Sequence, residues 1–80
     1  MIDLPKAKVI AQEIYPQFCL DRAYDDGERF IFSYAIKQGG AIPEGVPLVA
    51  IKKRDGIATE IPTSPIENLD FLDAIQEITI

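Results

Sequence analysis

Between Arg29 and Ile36 the chain alternates Phe30, Phe32, Tyr34 and Ile36 with Ile31, Ser33 and Ala35. Nearly every residue in this run is apolar or small, which is the signature of a central strand. It follows Asp25-Asp26-Gly27, where glycine supplies the positive φ that a tight hairpin turn needs. Before that turn, Phe18 to Tyr24 reads as the partner strand, with Phe18 and Leu20 on one face and Cys19 and Asp21 on the other. A β-hairpin therefore lies at the centre of whatever this chain builds.

The flanks add helices and a second hairpin. Asp3 can cap a helix whose first turn tolerates Pro5, since the N–H groups there lack intrahelical partners. Leu4, Ala7, Ile10, Ala11 and Ile14 then recur at helical spacing, and Pro16 stops the helix near Tyr15. Lys37 to Val46 holds three glycines and Pro43 and reads as a loop. Pro47 to Lys52 and Ile57 to Ile61 read as two more strands around Arg54-Asp55-Gly56. Ser64, Pro65 and Glu67 form a start signal for a C-terminal helix, with Leu69, Phe71, Leu72, Ile75 and Ile78 on one arc of its wheel. Ile78-Thr79-Ile80 prefers strand, which leaves the conformation of the last residues open. The fold class expected is α+β: an N-terminal helix, a four-stranded, largely antiparallel sheet and a C-terminal helix, in one domain over residues 1–80.

Composition excludes more than it assigns. In 80 residues there is no histidine and one cysteine. The usual serine or cysteine triads, an imidazole base, a thiolate zinc cage and an internal disulfide are all out of reach. No cofactor and no metal site is expected, and the chain reads as a non-enzyme. The first residues lack the basic and apolar regions of a signal peptide. The longest apolar run, Val46 to Ile51, contains Pro47 and falls far short of the ~20 residues that span a bilayer, so no membrane association is expected. A lone Cys19 fits a reducing compartment, which makes the cytoplasm the expected location.

The net charge of −5 is unevenly placed. The first twenty residues balance, and residues 21–54 come to +1, with Lys52-Lys53-Arg54 the sole basic cluster. From Asp55 onward there is no Lys or Arg, while Asp55, Glu60, Glu67, Asp70, Asp73 and Glu77 are all acidic. Such a field repels nucleic acid and attracts basic partners. On the expected C-terminal helix, Glu67, Asp70, Asp73 and Glu77 form an outward stripe. A solvated polar face accounts for their position, but not for the one-sign bias, which lacks any Lys to pair at i+4.

The remaining constellations have plainer explanations. Asp25-Asp26-Gly27-Glu28 fails the EF-hand template, because Arg22 and Tyr24 would fall at ligand positions; a polar hairpin tip accounts for it. Cys19, between Phe18 and Leu20, reads as a packed or edge thiol. Three basic residues at one hairpin tip, with no interleaved aromatic, make a weak nucleic-acid footprint. Tyr24, Phe30, Phe32 and Tyr34 alternate as core-facing strand residues do.

From the second strand onward the chain resembles the immunity protein 35 (YrhB-like) family of small bacterial proteins. The resemblance rests on Gly27-Glu28-Arg29-Phe30-Ile31-Phe32, Glu44-Gly45-Val46-Pro47-Leu48-Val49-Ala50-Ile51, Arg54-Asp55-Gly56 and Pro62-Thr63-Ser64-Pro65-Ile66-Glu67. An N-terminal helix also sits where that family has one, so the shared layout covers most of the chain. The family often carries Trp where this chain has Arg29 or Phe30, and Asn where it has Val46. The resemblance implies a compact α+β domain that binds and neutralises a toxin, and it supplies no catalytic residues.

The resulting expectation is a binding protein that covers a basic toxin domain with complementary charge. Asp70, Asp73 and Glu77 would come first, then Glu67, Asp25, Asp26 and Glu28. The alternative is a chaperone-like or structural accessory module that self-associates through a sheet edge; a small-ligand binder or enzyme would need a pocket. Oligomeric state stays open at this level.

Overall fold

The helix begins where its capping chemistry places it. In a computed structural model that describes residues 1–37, 46–62 and 66–79, α1 spans Leu4–Ile14. The Lys6 amide donates to Asp3 Oδ1 at 3.1 Å, and Pro5 occupies the first turn. Ala7 and Ala11 are fully buried, with Leu4, Ile10 and Ile14 packed beside them, while Val9 faces outward. Small residues at the contact let the helix axis approach the sheet closely.

Five antiparallel strands follow: β1 Phe18–Asp25, β2 Arg29–Ile36, β3 Leu48–Lys52, β4 Ala58–Ile61 and β5 Gln76–Ile78. Their spatial order is β4-β3-β2-β1-β5, so β2 lies at the centre of the sheet as its composition requires. Phe30, Phe32 and Tyr34 of β2, with Val49 and Ile51 of β3, pack under α1. Ile31, Leu48 and Ala50 line the opposite face. Tyr34 reaches the helix itself, its hydroxyl donating to the Ala11 carbonyl at 2.7 Å.

The expected C-terminal helix is replaced. Ile66–Ala74 winds as a 3-10 helix, and the chain then straightens into β5, giving five strands where four were expected. Phe71, Leu72 and Ile75 cover the sheet face that carries Tyr24, Ile31, Leu48 and Ala50. Ile78, three residues further on, packs on the other face with the α1 cluster. One α-helix would hold Ile75 and Ile78 on a single side. Wrapping around the edge of β1 instead lets this segment seal both faces. It also pairs the backbone of Ala23, Tyr24 and Asp25 with Ile78, Glu77 and Gln76. An open β1 edge would leave those backbone groups without protein partners.

Phe18 and Leu20 share the face toward α1, as their alternation predicts, and a β-bulge resets the faces beyond them. Leu20 pairs with Tyr34 but Ala23 with Phe32, so β1 carries one extra residue there. The freed Arg22 amide donates to Ser33 Oγ at 3.0 Å. As a result Leu20 and Ala23 both face α1, and Tyr24 turns to the opposite side. Unbroken alternation would have driven Arg22 into the core beneath the helix. The two consecutive polar residues Asp21-Arg22, both exposed, are the sequence signal of the bulge.

Candidate functional site

The seven acidic residues singled out by sequence fall into two groups that do different things. Asp25, Asp26 and Glu28 sit in the β1–β2 turn, where Gly27 adopts φ +95°. Asp25 Oδ1 accepts from the Gly27 amide at 2.8 Å. Asp26 Oδ1 accepts from the amides of Glu28 at 2.9 Å and Arg29 at 2.6 Å, while Arg29 Nε donates to Asp26 Oδ2 at 2.8 Å. Lys53, from the neighbouring β3–β4 turn, brings its ammonium within 2.7 Å of Asp25 Oδ1 and 4.7 Å of the Phe30 ring centre. Its amide also donates to the Glu28 carbonyl at 3.0 Å. These bonds lock the two hairpin tips together. Asp25 and Asp26 are thereby committed inside the molecule, and Glu28 alone of the three stays exposed.

The titration of the pair follows from these contacts. Lys53, and then the Gly27 amide, hold the Asp25 carboxyl below the usual aspartate range. Partial burial by itself would raise Asp26, but bonds from the Arg29 side chain and from the Glu28 and Arg29 amides outweigh it, and the net direction is down.

The same contacts account for the basic cluster. A shallow cleft of about 340 Å³ between the hairpin tips is lined by Glu28, Arg29, Lys52, Lys53 and Arg54. Asp26 offsets Arg29 and Asp25 offsets Lys53, which takes one charge out of the Lys52-Lys53-Arg54 run.

The second group lies on the side of the sheet away from α1. Asp70 and Asp73 are both exposed, and at 3.0 residues per turn a spacing of three stacks them on one side of the 3-10 helix. Glu77 is exposed on β5 and shares the face of its partner Tyr24. Glu67 falls within the 3-10 helix, but its side chain, like that of Leu69, lies outside the described residues; so do Ser64 and Pro65 of the expected helix start, and residues 38–45 of the expected loop. Arg22 is the nearby cation, 3.6 Å from Glu77 with both side chains more than half exposed. Its guanidinium, among the Tyr24 hydroxyl, Glu77 and Asp21, is held more firmly protonated than usual.

Cys19 is half-buried, its thiol 3.5 Å from the Ala35 carbonyl. Among the described residues no group of three or more acidic or cysteine side chains converges to hold a metal ion. None of the described helices is long and apolar enough to cross a membrane. No protein-family model, curated protein or solved structure matches the chain.

Proposed function

We propose that this protein is a non-enzymatic binding module whose acidic surface, Asp70, Asp73 and Glu77, docks onto a basic protein partner. In the reading favoured by the resemblance above, it acts as an immunity-type inhibitor that covers the working surface of a bacterial toxin. The observation that carries the proposal is the division of labour among the acids. Asp25 and Asp26 have internal donors, whereas Asp70 and Asp73 are exposed, stacked one turn apart, and described with no cationic partner. Glu77 is met by Arg22, but the like charges of Asp70 and Asp73 one turn apart cost a little stability, and a complementary surface recovers it on binding. Glu67 extends the same segment, and Glu28 at the far hairpin tip is a secondary contact.

Capture of the partner from a lysate containing the product of the adjacent reading frame, followed by titration calorimetry at two salt concentrations, tests this. A stable basic partner is expected, bound more weakly at high salt. Asp70→Lys combined with Asp73→Lys should weaken binding at least tenfold without shifting the melting temperature. Unchanged affinity in that double variant overturns the proposal.

A further inference from the structure

We infer that β4 is a homodimerisation edge, pairing antiparallel with β4 of a second copy about a two-fold axis through Thr59. This is independent of the acidic surface. The outward hydrogen-bonding groups of β4 follow from its pairing with β3. Lys52 donates its amide to the Ile57 carbonyl at 3.0 Å, and the register continues as Ile51 with Ala58, Ala50 with Thr59, Val49 with Glu60 and Leu48 with Ile61. Antiparallel alternation then points the backbone groups of Ile57, Thr59 and Ile61 toward β3, and those of Ala58 and Glu60 toward the open edge. Ala58, Thr59 and Glu60 are all exposed. β4 is only four residues long and its one charge, Glu60, lies on the α1 side; no lysine, proline or bulge falls within Ala58–Ile61 to block its outward groups.

The register is decided by what each symmetric choice would bring together. An axis through Glu60 sets two carboxylates directly opposite and matches Ala58 with Pro62, which has no N–H to give. An axis through Ala58 matches Glu60 with Gly56, whose amide already donates to the Lys52 carbonyl at 2.8 Å. An axis through Thr59 pairs Ala58 with Glu60 of the second copy, twice, for four backbone hydrogen bonds and no facing like charges. It also sets Ile57, 57% exposed, across from Ile61 of the second copy on the same face. Glu60 keeps its side chain on the α1 side, where Tyr15 donates to it at 3.1 Å. A second copy therefore supplies both the backbone partners of this edge and a cover for its exposed isoleucine. The acidic surface, by β5, lies about 19 Å away across four strand spacings, so the ten-stranded dimer would present it at both ends.

So small a contact gives a weak, transient dimer. Sedimentation equilibrium from a few μM to about 1 mM should show the mass rising from one chain to two. Ala58→Pro removes an outward N–H while leaving the β3 ladder whole, and should hold the protein monomeric with its circular dichroism spectrum unchanged. Independently, in a Cys19→Ser background, Thr59→Cys should oxidise to a disulfide-linked dimer. Non-hydrogen-bonded partners sit about 4.5 Å apart at Cα, within the reach of a disulfide. Ala58→Cys, offset by two residues from its own copy, should not. A single-chain mass throughout the range overturns the inference and leaves the edge to a foreign strand. Preferential cross-linking of Ala58→Cys overturns the register and with it the inference.

Discussion

Replacing Asp26 by alanine tests whether the β1–β2 turn is structural. The substitution removes three hydrogen bonds at once: those from the amides of Glu28 and Arg29, and that from Arg29 Nε. A bond to a charged group is worth about 1.5–3 kcal/mol, but these three share one carboxylate and water can reach the turn, so the sum is not additive. About 2–3 kcal/mol in total is the expected loss. For a chain of this length total stability is about 4–12 kcal/mol, so the variant should melt roughly 10–20 °C lower. Asp26→Asn retains an oxygen for the two amides and loses the charge, and should fall about halfway. Guanidinium titration followed by circular dichroism should show a lower midpoint at an unchanged slope. On acidification the unfolded chain, with aspartates near pH 3.9, takes up protons before the folded chain does. The charge-dependent contribution of Asp25 and Asp26 is therefore present above about pH 4 and lost as pH falls below it, where wild type should approach Asp26→Asn. A melting temperature within about 3 °C of wild type at pH 7 would refute the reasoning, because water would then be replacing all three bonds.

Asp70→Ala with Asp73→Ala, in contrast, should change stability by less than about 0.5 kcal/mol in the same titration, since both side chains are exposed. Tyr34→Phe breaks the buried bond to the Ala11 carbonyl and should cost about 1 kcal/mol by denaturant titration. Burial, with smaller contributions from Tyr15 and Glu60, pushes the Tyr34 phenol far up. The unfolded chain therefore loses this proton first as pH rises past about 10, and stability falls with alkali; Tyr34→Phe should flatten that fall. Ala11→Leu forces bulk between helix and sheet at a fully buried site and should cost about 1–3 kcal/mol or more by thermal melting. Gly56→Ala strains a residue at φ +77°, while its new methyl would meet Ile10 at an ordinary contact distance of 3.5 Å. A loss of about 1–2 kcal/mol is expected by the same measurement.

Local chemistry determined much of this protein. Asp3, Pro5 and the Leu4-Ala7-Ala11-Ile14 spacing set α1, because capping and amphipathic periodicity act within a few residues. Phe30 to Ile36 set the central strand, and the Asp-Gly turns set both hairpins, because a residue that must adopt positive φ leaves few candidates. The placement of charge along the chain was equally legible; the bulge at Asp21-Arg22, which turns Tyr24 over, was decided by the pairing of β1 with β2. Tertiary structure decided what local chemistry left undetermined. Phe71, Leu72, Ile75 and Ile78 suit an amphipathic α-helix in isolation, yet the open edge of β1 offers backbone partners and two apolar faces to seal, and the segment becomes a 3-10 helix and a fifth strand. The acidic residues look alike in sequence. Contact with Lys53 and Arg29 assigns Asp25 and Asp26 to the turns, and leaves Asp70, Asp73 and Glu77 on the surface. Asp26 meets its donors within three residues, in the turn itself, whereas Asp25 acquires the Lys53 ammonium only when the second hairpin folds beside the first.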